Sequence, residues 1–263
     1  MTESLVFVPV AEFDRVRNLN ASAVERATLF ADMCRLNTLS MIAYAGSGHI
    51  GSSFSSLDIV TWLFLHELQP QPGKTNGSGD LYFSSKGHDG PGLYAAMIAC
   101  GQLPPDGLKK LRRLGGLPGH PDVGTPHMIT NTGSLGMGIS KAKGMVFADR
   151  LLGRKRRIFV MTGDGELQEG QIWESLSSAA NHRLGEITVV VDHNKLQSDV
   201  RVSDTSDLGD LEAKFAAFGW HVSRCDGHDL SALSAAFDKS RDIVDRPKVI
   251  VADTVKGRGV SFM

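Results

Sequence analysis

Two short segments hold most of the oxygen chemistry in this chain: Gly163-Asp164-Gly165-Glu166-Leu167-Gln168-Glu169-Gly170 and Asp192-His193-Asn194-Lys195-Leu196. Asp164 offers a carboxylate, Asn194 an amide oxygen and Leu196 a main-chain carbonyl. An all-oxygen set suits a hard cation such as Mg²⁺, which takes near-octahedral geometry from one or two carboxylates, water and bound phosphates. Gly163 and Gly165 let the backbone approach phosphates with no Cβ in the way. The helical pattern that follows aims its amino end and its dipole at the same place. The chemistry these residues predict is a magnesium and diphosphate site.

The elements around them must deliver Asp164 and Asn194 to one point. Arg156–Thr162 (RRIFVMT) reads as a strand, Glu169–His182 as a helix and Ile187–Val191 (ITVVV) as a second strand. Strand, helix, strand implies a parallel pair with a right-handed crossover. Both loops then leave the sheet at its carboxyl edge, where open α/β sheets bind ligands.

Elsewhere, residues 21–45 and Leu57–Leu68 read as helices, Leu81–Ser84 as a short strand and Pro91–Cys100 as a helix. Gln69–Asp80 reads as a turn-rich linker, and residues 103–131 as mostly loop. Gly133–Leu152 has helical spacing of small residues, and a last pass of strand (Trp220–Cys225), helix (Leu230–Ser240) and strand (Lys248–Thr254) follows. The expected fold class is α/β, a parallel β-sheet with helices on both faces. No composition break divides residues 1–263, so a single domain is expected.

With 263 residues, 41% hydrophobic, 22% charged and a net charge of -1, the chain lacks the basic stripe that nucleic acid would require. The run Arg154–Arg157 precedes a strand and reads as a solvated corner. The first residues carry no signal-peptide pattern, and no apolar stretch is long enough for a membrane helix. Cys34, Cys100 and Cys225 form no C-x-x-C pair, which fits reduced thiols in the cytoplasm. Trp62 and Phe64 could face a partner, although ordinary core is the simpler reading.

The Gly-Asp-Gly triplet with a later Asn resembles the thiamine diphosphate signature; the family's paired Asn is here His193-Asn194. Further segments resemble transketolase in that family's order: Ser47-Gly48-His49-Ile50-Gly51, Ser84-Ser85-Lys86-Gly87-His88, Leu117-Pro118-Gly119-His120-Pro121 and Thr132-Gly133-Ser134-Leu135-Gly136. Gln168-Glu169-Gly170 and Glu174 extend the match. The resemblance implies that Asp164, Asn194 and Leu196 hold the metal. It places Gly163, Asp164, Gly165, Glu166, Asn194 and His88 at the cofactor diphosphate, and Gly133, Ser134 and Leu135 at its aminopyrimidine ring. His49 and His120 would line the substrate channel, and His49, His88, His120 and Glu169 would be the catalytic set. Histidine suits proton transfer because its unperturbed pKa lies near neutrality. Glu169 is similar to an interface glutamate that links two active sites.

The implied activity is transfer of a two-carbon ketol unit between sugars, with thiamine diphosphate and Mg²⁺ as cofactors. The resemblance covers only the diphosphate-binding domain of a transketolase. The pyrimidine-binding and C-terminal domains are expected on a partner chain, a C-terminal transketolase subunit, assembled as α₂β₂. The family's later His that touches the diphosphate has no counterpart after Lys256, through truncation or because this enzyme works without it. Competing readings are another thiamine-dependent acyloin-forming or 2-oxo-acid enzyme subunit, and a cofactor-binding subunit without catalysis. A nicotinamide enzyme is disfavoured because no G-x-G-x-x-G follows a strand.

Overall fold

The structure, a computed structural model, describes residues 5–69, 79–261 and 263. The described residues group into two compact units, one of 5–69, 87–131, 257–261 and 263, the other of 79–86 and 132–256. Each unit is assembled from separate stretches of chain, so no boundary coincides with a shift in composition.

The first unit is helical. Its elements are α1 (Val10–Arg17), α2 (Ala23–Ala45), α3 (Ile50–Trp62) and α4 (Gly90–Ala99). The α2 helix opens with a capping box: Ser22 Oγ accepts from the Glu25 N–H at 3.2 Å, and the Glu25 carboxylate accepts from the Ser22 N–H at 2.8 Å. It closes on Gly46 at φ 72. The α3 helix starts seven residues before the expected Leu57, directly after His49. Its first turns are rich in serine, so apolar periodicity does not reveal them. Buried Ser55 and Ser56 return their hydroxyls to the Ser52 carbonyl at 3.1 and 3.0 Å. Trp62 and Phe64, only 5% and 4% exposed, belong to the core. The α1 helix shows no clear periodicity, yet it seats Phe13 edge-on against Phe30 with ring centroids 4.8 Å apart.

The second unit carries the sheet. Its elements are β1 (Leu81–Ser84), α5 (Gly138–Leu151), β2 (Ile158–Gly163), α6 (Gly170–Asn181), β3 (Ile187–His193), β4 (Leu196–Gln197), β5 (Val200–Arg201), α7 (Val202–Ser206), α8 (Leu211–Ala217), β6 (His221–Asp226), α9 (Leu230–Arg241) and β7 (Lys248–Asp253). The five-stranded sheet has the order β1-β2-β3-β7-β6 and every pair is parallel. Strand order runs outward through β1, β2 and β3, then returns from edge β6 to β7. Right-handed crossovers therefore put α6 on one face and α9 on the other. Burial on both faces explains the unbroken apolar run of β3, whose Val189, Val190 and Val191 are 0% exposed. Each such side chain contributes about 1.5–3 kcal/mol of burial.

Three departures from the sequence reading matter for the site. The α5 helix begins at Gly138 rather than Gly133, because Gly133 and Gly136 take φ of 91 and 81 and form a loop. A short 3₁₀ turn, Gly165–Gln168, separates Asp164 from α6, which Glu169 caps. The short polar elements β4, β5, α7 and α8 carry too little periodicity to be foreseen. Of the turn-rich linker, residues 70–78 lie outside the described residues. The basic corner is paired: Arg156 meets Asp149 at 2.5 Å and Arg157 meets Asp80 at 2.6 Å.

Lys248 starts β7 with its ammonium turned inward, donating to the Gly185 carbonyl and to the Ile243 carbonyl at 3.0 Å. Burial, aided by Arg157, pushes its pKa down from 10.5 to about 8. An unfolded lysine keeps its proton to near 10.5, so between about pH 8 and 10.5 the unfolded chain binds more protons and the contribution of Lys248 to stability rises with pH. Urea unfolding of the native chain and of Lys248→Met should diverge in the native chain's favour across that window. A pH-independent difference would contradict the assignment.

Candidate functional site

The carboxyl edge of β2, β3 and β7 gathers the chemistry of the second unit. Gly163 is level with Asp192, and Asp192 with Ala252, so Asp164, Asn194 and Thr254 each leave the sheet within two residues of one another in register. After β3 the chain turns sharply at Lys195, which takes the left-handed φ of 67. Two consecutive amides in this turn hold the two expected metal ligands. The Lys195 N–H donates to Asp164 Oδ2 at 2.5 Å, and the Leu196 N–H donates to Asn194 Oδ1 at 3.1 Å. A carboxylate and an amide oxygen from distant parts of the chain therefore stand on neighbouring peptide groups.

Asp164 is 2% exposed and Asn194 9%. Burial raises the Asp164 pKa; the Lys195 amide opposes this, the Asp192 charge adds to it and the Gly165 amide opposes it again. A buried carboxylate pushed upward by burial and a like charge is relieved by a cation. Among the described residues no three His, Cys, Asp or Glu side chains cluster as a metal site. The donor set here combines carboxylate, amide and peptide oxygens, and it fits a hard ion completed by phosphate oxygens and water.

Glu166 lies beneath the turn. It is 3% exposed, and its carboxylate is directed inward. Oε1 accepts from Ser85 Oγ and from the Gly136 N–H at 2.9 Å; Oε2 accepts from the Gly163 N–H at 3.2 Å. Ser85 Oγ in turn accepts from the Gly138 N–H at 3.0 Å. One carboxylate thus ties together the Ser84–Lys86 segment, the Gly133–Gly136 loop and the Gly-Asp-Gly triplet. Burial raises its pKa, with the Ser85 hydroxyl and the two amides opposing. Gly136 cannot be replaced without rearrangement: besides its φ of 81, a Cβ there would lie 2.7 Å from the Glu169 Cβ. Ser134, Leu135 and Glu169 are exposed on the single chain.

Asp192 completes the edge. Lys86 Nζ donates to its Oδ2 at 2.6 Å and Thr254 Oγ1 to its Oδ1 at 2.5 Å, while Asn194 Nδ2 reaches Oδ2 at 3.2 Å. Lys86 is 1% exposed and Asp192 0%. Sequence reasoning missed this trio, although charged residues interrupting apolar strands at their carboxyl ends were a usable signal. His193, which replaces the first of the paired Asn, turns to Asp253 with Nδ1 2.8 Å from Oδ1, and Arg224 grips the same carboxylate at 2.7 Å.

The three expected histidines fall in the first unit, where they meet. The ring centroid of His49 is 5.4 Å from that of His88 and 6.1 Å from that of His120. His49 caps the start of α3, and the His120 turn rests on the start of α4 because Gly90 has no side chain. A Cβ there would approach Pro121 Cδ at 3.0 Å and the Gly119 carbonyl at 3.2 Å. Arg112 ties the loops by donating to Ser47 Oγ at 2.6 Å.

Residues 26–262 match the family model described as transketolase, thiamine diphosphate binding domain. The chain belongs to the transketolase family. It is 37% identical over 235 residues to a 6-deoxy-6-sulfo-D-fructose transketolase subunit of a Clostridium species, covering 88% of this chain and 86% of the relative. It is 36% identical over 219 residues to an apulose-4-phosphate transketolase subunit of Actinobacillus succinogenes, covering 82% and 79%. The transketolase crystal structure from Campylobacter jejuni superposes with a TM-score of 0.84 at 28% identity, over 91% of this chain but only 39% of that one. The thiamine diphosphate-binding domain of a transketolase thus accounts for nearly the whole chain. The five-stranded parallel sheet flanked by helices is the transketolase arrangement expected from the sequence.

Proposed function

We propose that this chain is the cofactor-binding subunit of a two-component transketolase that moves a two-carbon ketol unit from a ketose to an aldose. The observation that carries the reading is the pair of consecutive amides, Lys195 and Leu196, that bind the Asp164 and Asn194 oxygens. Asp164, Asn194 and the Leu196 carbonyl hold Mg²⁺, and Gly163, Gly165 and Glu166 shape the backbone that receives the diphosphate. The Gly133-Ser134-Leu135 backbone receives the aminopyrimidine ring. Thiamine diphosphate supplies the electron sink for carbon–carbon cleavage and formation. His88 contacts the diphosphate, and His49 and His120 orient sugar hydroxyls and exchange protons with them. Glu169, exposed on the single chain, belongs to a subunit interface.

The partner is a C-terminal transketolase subunit with the pyrimidine-binding domain, in an α₂β₂ assembly. The relatives' names support a partner subunit: two proteins that the chain matches over 86% and 79% of their length are named as transketolase subunits. Those relatives are named for a sulfo sugar and a sugar phosphate, and we assign a donor with an anionic end group. Free Cys34, Cys100 and Cys225 support a cytoplasmic setting, and among the described residues no helix is long and apolar enough to cross a membrane.

Ketol transfer, followed as aldehyde-dependent consumption of a ketose, should require both subunits, thiamine diphosphate and Mg²⁺ together. Turnover by this polypeptide without a partner would refute the two-component reading. Release of CO₂ from pyruvate without ketol transfer would move the protein to the 2-oxo-acid enzymes.

A further inference from the structure

We propose that Asp192 is a positioning residue for the cation: its carboxylate holds the Asn194 carboxamide nitrogen-inward, so that the amide oxygen faces outward beside the Asp164 carboxylate. The inference rests on the cofactor reading above and adds a residue to it.

A carboxamide has two nearly isosteric ends, and only its hydrogen-bond partners select which end faces a ligand. Both ends of Asn194 are selected. An ionised carboxylate only accepts, so the Asp192 Oδ2 at 3.2 Å admits Nδ2 and rejects the oxygen. A peptide N–H only donates, so Leu196 at 3.1 Å admits Oδ1. The same turn presents the neighbouring Lys195 amide to Asp164 at 2.5 Å, so the two oxygens bind consecutive peptide groups. A reversed carboxamide would put N–H groups where the cation needs an oxygen.

Asp192 does this from the interior, where it is 0% exposed. Lys86 Nζ at 2.6 Å and Thr254 Oγ1 at 2.5 Å hold its carboxylate in place. A buried ion pair is a weak stabiliser, because apolar replacements of similar size are often as stable. Orientation of Asn194 gives the pair a purpose that packing alone does not.

The test uses the full chain assembled with its partner subunit. Thiamine diphosphate binding, read by tryptophan fluorescence, is titrated with Mg²⁺, and thermal melts are recorded alongside. Removing one charge alone would strand the other, so both are changed together. In K86M/D192N the residue at 192 still offers an oxygen to Asn194; in K86M/D192L it does not. The half-saturating Mg²⁺ concentration should stay within about 3-fold of native for K86M/D192N and rise about 10–100-fold for K86M/D192L, the range typical of lost outer-shell partners of a metal site. At saturating Mg²⁺ the leucine variant should bind thiamine diphosphate with native affinity, which a merely unfolded or distorted site would not do.

Native Mg²⁺ dependence in K86M/D192L overturns the proposal. So do equal shifts in the two double variants, since Asp192 would then act by charge or packing alone. Should the leucine variant lose its cooperative melt, K86M/D192S replaces it with the same expectations, as serine is too short to reach the Asn194 nitrogen. If the native assembly binds thiamine diphosphate without any divalent cation, the cofactor reading itself fails, a result distinct from failure of the positioning role.

Discussion

Asp164→Ala in the assembled enzyme should lower ketol transfer by about 10²–10³-fold, more than the 10–100-fold typical of lost outer-shell partners of a metal site. The reason is geometric. Asp164 is 2% exposed and bridges the Gly-Asp-Gly turn to the turn after β3, accepting from the Lys195 amide at 2.5 Å and from the Gly165 amide at 2.8 Å. Its removal takes away the one carboxylate of the expected metal set and frees the amide that keeps the two turns together. Asp164→Asn should retain much of the turn through its remaining oxygen while losing the charge. The two variants therefore separate the roles: both should lose Mg²⁺-dependent thiamine diphosphate binding by calorimetry, and only the alanine variant should melt markedly earlier. Native binding in either variant would remove the basis of the functional reading.

Glu166→Ala is expected to have the largest effect on stability. It strands the Ser85 hydroxyl and the Gly136 and Gly163 amides in a region where Glu166 itself is 3% exposed. Buried donors left without partners cost about 1–3 kcal/mol each, so a loss of roughly 3–5 kcal/mol follows if the loops relax only in part. Glu166→Gln keeps one oxygen and should cost less. The pH dependence is also diagnostic. Burial raises the Glu166 pKa, so the folded chain binds the proton more tightly than the unfolded one. The Glu166 contribution to stability is therefore greatest in acid and falls as pH rises from the ordinary carboxylate range through the raised value. Urea unfolding of the native chain against Glu166→Gln should show that slope, and identical pH profiles would mean the carboxyl does not titrate there.

Much of the site could be read from the chain because its residues sit at strand ends. An apolar run followed by Gly163-Asp164, and another followed by His193-Asn194, mark two carboxyl termini, and a parallel sheet brings such termini to one edge. The three histidine motifs were legible for a different reason: each is embedded in glycine or proline, residues whose backbone demands survive without knowledge of the fold. The start of α3 was not legible, since Ser52, Ser53, Ser55 and Ser56 read as polar although all four are buried. The inward turn of Glu166 was equally hidden, because a glutamate beside a phosphate-type loop looks the same whether it faces ligand or core.

By itself the sequence determined the fold class, the family and the candidate residues proposed for a cation and a diphosphate, because strand periodicity, glycine placement and side-chain chemistry are local properties. The tertiary structure alone decided which buried groups complete the site. Lys86, Asp192 and Thr254 come from three different strand ends, and only the register of β2, β3 and β7 and the course of the chain after β1 bring them within hydrogen-bonding distance. A charge inside a sheet must find its partner through space, and distance along the chain carries no record of that partner.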